Sequence, residues 1–109
     1  MTITYNRLAA ARPAALIEQD FYALTSGEVI GVIHVCNQDA AAQTFSIAVT
    51  DAGTGVAATG EDWIEYDTAI PANTTFKITL EGFAATSTIR IIASKVDVIS
   101  FVLFGMLKT

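Results

Sequence analysis

One cysteine, one histidine, one tryptophan and two prolines in 109 residues close off several possibilities at once. A lone cysteine, Cys36, excludes an intrachain disulfide framework and fits a reducing cytoplasm. Charge is scarce as well, at 16% of residues against the roughly 25% of an ordinary soluble domain. The six basic residues (Arg7, Arg12, Lys77, Arg90, Lys95 and Lys108) are scattered through a chain of net charge −5. No cluster offers phosphate neutralisation, so nucleic acid is excluded as a partner. The longest uncharged apolar run, VISFVLFGML at 98–107, is half the ~20 residues that span a bilayer. The first twenty residues lack a basic head followed by a continuous apolar stretch. The expectation is therefore neither a secretory leader nor a membrane partner, with synthesis in the cytoplasm.

What is present is apolar. Hydrophobic residues make up 52% of a chain long enough for one domain, which buries about two-thirds of its extended surface on folding. That excess points to surface covered by other copies or by a larger body. Most of the chain alternates with period two. Residues 44–50 set Phe45, Ile47 and Val49 against polar neighbours, 75–80 do so with Phe76, Ile78 and Leu80, and 88–95 with Ile89, Ile91 and Ala93. Residues 28–37 (EVIGVIHVCN) and 97–107 (DVISFVLFGML) are apolar on both faces, as strands covered on both sides would be. Shorter candidates lie at 20–24 and 62–66. Turn signals separate them at 25–27, 37–41, 51–55, 70–74 and 81–87.

The expected fold is all-β: a single β-sandwich, jelly-roll-like, of about 7–9 strands. Its domain spans 20–109, with Phe45, Ile47, Val49, Phe76, Ile78, Ile89, Ile91, Phe101 and Leu103 pointing inward. Residues 1–19 are alanine-rich and interrupted by Pro13, which disfavours helix at Arg12. They are expected as an extended N-terminal arm with at most a short helical turn.

Three constellations carry possible chemistry. His34 and Cys36 lie two apart, sharing one strand face about 7 Å apart along the backbone. Nucleophilic use needs an orienting group and an oxyanion hole, and a structural zinc site needs four ligands; the sequence identifies neither set. The preferred reading is a strand residue and a buried small thiol leading into a hairpin turn started by Asn37, with metal and catalysis as the alternatives. The acids Glu61, Asp62, Glu65 and Asp67 fall within seven residues but lack a calcium-loop pattern, so a solvated strand face is favoured over a weak cation site or a partner contact. Trp63 with Tyr66 fits either the core or a sugar-stacking platform, and the core is the commoner fate of a lone tryptophan in a β domain. No catalytic, cofactor or metal residue is assigned.

Several stretches together resemble a group of small tailed-bacteriophage virion proteins. They are the Val-Cys-Asn strand end at Val35–Asn37, the Thr-Phe-x-Ile-Ala-Val strand at Thr44–Val49, the Tyr-Asp segment with Pro-x-Asn at Tyr66–Thr74, and the closing Ser-Phe-x-Leu-Phe-Gly at Ser100–Gly105. The resemblance covers about residues 16–107. It implies a non-enzymatic structural protein of the virion: a capsid decoration (cement) protein, as a homo-oligomer, commonly a trimer, on the major capsid protein. A tail, baseplate or fibre module and a host-glycan-binding module are the alternatives. No cofactor is implied.

Overall fold

The computed structural model describes the backbone of residues 3–14 and 16–108, and their side chains except those at 3–5, 81, 83 and 84. Eight strands carry the chain: β1 (Ile3–Ala11), β2 (Gln19–Ala23), β3 (Glu28–Asn37), β4 (Gln43–Thr50), β5 (Trp63–Ile70), β6 (Thr75–Ala84), β7 (Thr88–Ala93) and β8 (Ile99–Lys108). They form two antiparallel sheets of four, in the orders β1-β8-β3-β6 and β2-β7-β4-β5. Among the described strands only β4 and β5 are neighbours both in sequence and in a sheet. Every other connection between these strands crosses from one sheet to the other.

The period-two pattern explains which sides meet. Phe45 and Ile47 of β4, Ile89 and Ile91 of β7, and Phe101 and Leu103 of β8 are all essentially inaccessible. Val49, Phe76 and Ile78 are half-buried against that core, the last two because β6 is an edge strand. Aromatic rings bridge the sheets: Phe45 meets Phe76 at 6.0 Å and Phe101 at 6.2 Å, and Phe21 meets Phe101 at 6.2 Å. Each such side chain contributes roughly 1.5–3 kcal/mol by leaving water. The all-β expectation holds, in a sandwich-like arrangement around one shared core.

Two expectations are corrected. The first concerns the N-terminal arm. Ile3–Ala11 is not a free arm but strand β1, paired antiparallel with β8 from Ile3↔Lys108 to Ala11↔Phe101. Leu8, Ala9 and Ala11 pack against the core. The ladder shifts register between Arg7 and Ala9, and that bulge breaks the alternation that would have marked a strand. Residues 1, 2 and 15 of the expected arm, and Thr109 of the expected domain, lie outside the described residues.

The second correction concerns β3 and β8. Both were expected to be covered on two faces, and only one is. Val29, Ile33 and Val35 of β3 and Ile99, Phe101 and Leu103 of β8 are fully buried. Their alternates look outward, and Ile30 remains 52% and Phe104 43% exposed. Among the described residues, nothing lies over that face.

Candidate functional site

The uncovered face is built by the two central strands of the first sheet. β3 and β8 pair in unbroken register, setting Ile30 opposite Met106, Val32 opposite Phe104 and His34 opposite Val102. The five apolar side chains among these six form a stripe, with His34 at its end, where a lone domain would carry polar ones. Between them lies a shallow hollow of about 380 Å³ whose lining includes Gly31 and Gly105.

Those two glycines are partners in the ladder. A Cβ on Gly31 would stand 2.5 Å from the carbonyl oxygen of Phe104, and one on Gly105 would stand 2.7 Å from that of Ile30. The closeness of the two backbones, rather than a turn, is what requires glycine at both positions.

Basic residues border the stripe. Arg7 of β1 is opposite Phe104, Lys77 of β6 is opposite His34, and Lys108 pairs with Glu28 at 3.3 Å. Among the described residues, Arg7 and Lys77 have no acidic partner. In a chain with eleven acids to six bases, this face holds an unusual share of the positive charge.

The stretch from His34 to Asp39 divides between the face and the β3–β4 connection, which crosses from one sheet to the other. His34 meets the Phe104 ring edge-on at 5.1 Å. Cys36 is half-buried on the same side, opposite Ser100 and Thr75. No hydrogen bond joins the imidazole and the thiol, and among the described residues no three His, Cys, Asp or Glu side chains converge as metal ligands. Asn37 turns inward and is fully buried. Its amide shares two hydrogens among the carbonyls of Ala41, Ile70 and Pro71 at 3.0, 3.1 and 3.2 Å, while its oxygen accepts the Asp39 amide at 2.9 Å. One side chain thus ties the β3–β4 connection to the β5–β6 connection; the hairpin expected after Asn37 is instead a crossing between sheets, because β3 and β4 belong to different ones. Asp39 accepts from Lys95 at 3.0 Å and from Gln43 at 2.7 Å. Those donors, Lys95 foremost, hold its carboxyl below the ordinary value.

The acidic run lies on and beside β5, an edge strand of the second sheet. Asp62 caps a turn by accepting from the Thr59 amide and hydroxyl at 2.8 and 3.1 Å, while Glu61 and Asp67 are exposed. Trp63 lies outside the core cluster, contrary to the favoured expectation. It meets Tyr66, 65% exposed, edge-on at 5.3 Å. Ile64 beside them is 42% exposed.

Sequence reasoning missed one cluster altogether. Arg90 of β7, 7% exposed, is ion-paired to both Glu18 and Asp20. The same carboxylates accept the amides of Ala58 and Gly55, each at 2.9 Å. The triad therefore fastens the 51–62 connection over the second sheet. The outer face of the second sheet has a cover made by its own chain, and among the described residues the outer face of the first has none.

Compared with known proteins, the chain matches no family model, no curated protein and no solved structure.

Proposed function

We propose that this chain is a non-enzymatic structural subunit of a tailed-phage virion. In this reading it is a capsid decoration protein that stabilises the head as a homo-oligomer, a trimer, attached to the major capsid protein. The carrying observation is the apolar outer face of the first sheet, with Ile30 and Phe104 about half exposed. Exposed apolar faces of this kind mark interaction surfaces. The strand orders β1-β8-β3-β6 and β2-β7-β4-β5 support reading the fold more finely as a jelly roll, two interleaved Greek keys, an architecture used by viral shell domains. Many modest contacts then add up on a repetitive lattice without any catalytic step.

The test is occupancy. Purified particles should contain the protein in many copies, and particles lacking it should release their genome at lower temperature. Copies confined to isolated tails would move the protein to the tail or baseplate. Absence from particles would overturn the virion reading. The exposed Trp63–Tyr66 pair favours a second reading, a glycan-binding module, because stacked sugars are held on such rings. Glycan-array binding that Tyr66→Ala abolishes would support it.

A further inference from the structure

We propose that copies of this chain associate head to tail, the outer face of the first sheet of one copy seating on the β5 edge of the next. The inference rests on the homo-oligomer reading and names the two surfaces that meet. One surface is the stripe containing Ile30, Val32, Phe104 and Met106, bordered by Arg7 and Lys77. The other is β5 with exposed Ile64 and Tyr66, bordered by Glu61, Glu65 and Asp67.

Charge selects this pairing. Among the described residues neither Arg7 nor Lys77 has an acidic partner, and Glu61, Glu65 and Asp67 have no cationic one. Each patch thus presents apolar side chains rimmed by unpaired charge of one sign, opposite in the two. A two-fold contact would set the basic borders against each other, or the acidic ones, and like charges at a contact oppose association. Joining different patches makes the contact heterologous, which closes into a ring when the rotation per copy permits.

Geometry selects side-chain docking over strand addition. β5 shifts register twice against β4, between Phe45 and Ile47 and between Ile47 and Ala48. Asp67 adopts a φ of 46° and gives its amide to the Ser46 hydroxyl at 2.9 Å. An edge bent by bulges and carrying charge resists continuing its ladder into another sheet. Area permits the arrangement: at about 800 Å² per partner for a stable contact, two such patches fit within the 5750 Å² of the free chain.

The experiment is charge reversal read by sedimentation velocity and light scattering. One variant carries Arg7→Glu with Lys77→Glu, another carries Glu61→Lys with Glu65→Lys, and a third carries all four. Each double variant should associate at least ten-fold more weakly than the wild type, and the quadruple variant should recover association because its two patches are complementary again. Circular dichroism confirms that each retains its sheets. Salt supplies a measurement that needs no variant: raising NaCl from about 0.05 to 0.5 M shortens the screening length and should weaken wild-type association. A β5 variant that assembles normally while the first-sheet variant dissociates would overturn the head-to-tail contact in favour of a two-fold one. A folded quadruple variant that stays dissociated, insensitivity to salt, or a wild type monomeric at every concentration would also overturn it. Assembly as described in a protein absent from virions would sink the virion reading and leave this contact standing.

Discussion

Gly31 and Gly105 face each other across the central strands of the first sheet so closely that neither position has room for a methyl group. The obstructing atoms are main-chain atoms, which cannot turn aside as a side chain would. Gly31→Ala or Gly105→Ala should therefore force the two strands apart, costing about 1–3 kcal/mol as over-packing does. Urea denaturation checks this, and wild-type midpoints for both variants would contradict it. The same displacement should distort the hollow that the pair helps to line.

Asn37 is the second position where small chemistry has a large effect. Asn37→Ala removes the donors of three carbonyls, and a buried polar group left without a partner costs about 1–3 kcal/mol. Asn37→Asp should be no milder. A carboxylate can still accept the Asp39 amide, but it sets negative charge against the carbonyls of Ala41, Ile70 and Pro71. Thermal melts of both variants, each lower than wild type, are the expected result.

Arg90→Met should loosen the 51–62 connection as well as lower stability. Removing the guanidinium leaves Glu18 and Asp20 side by side without their cation. Breaking a buried ion pair costs about 3–5 kcal/mol; with the carboxylate side chains 20% and 31% exposed, solvent screening brings the expectation to roughly 2–3 kcal/mol. Limited proteolysis should cut near Gly53 and Gly55 faster than in the wild type. Equal cutting rates would show that the connection holds without the triad.

Asp39 gives a pH dependence with a definite sign. Its carboxyl is held below the ordinary aspartate value of 3.8 by Lys95 and Gln43. A depressed folded-state value contributes stability above the unfolded value, and that contribution disappears as pH falls through the folded one. Asp39→Asn should thus be less stable than wild type at neutral pH, with the difference closing as the pH drops below 3.8. Chemical denaturation at pH 7, 5 and 3 measures the gap, and a constant gap would contradict the linkage.

Much of this fold was legible because alternation is a local property. Glu28–Asn37 was read at its observed bounds, and the inward positions of β4, β7 and β8 follow directly from period two. β1 was not legible: Ala9, Ala10 and Ala11 carry little strand preference, and what makes them a strand is pairing with β8, ninety or so residues away in sequence. The Arg90 cluster was hidden for the same reason, since its partners lie 72 and 70 positions off. The candidate site was half legible. Apolar residues on both sides of β3 and β8 announce that both sides are to be covered, and whether the cover comes from the same chain is a tertiary fact that no periodicity encodes.

The placement of the last strands has a consequence for how the molecule is made. β8 lies between β1 and β3, and β7 between β2 and β4, so each sheet is keyed by a strand near the end of the sequence. Until residues 99–108 have left the ribosome, β1 has no ladder to join and the apolar β3 lacks its principal neighbour. Productive folding is thereby deferred until β8 has been made, and it depends on closing long loops, the slowest kind of step. During that interval the waiting strands are open to the wrong partners. The yield of native protein should accordingly depend more on temperature and chaperone supply during expression than the stability of the finished molecule would suggest.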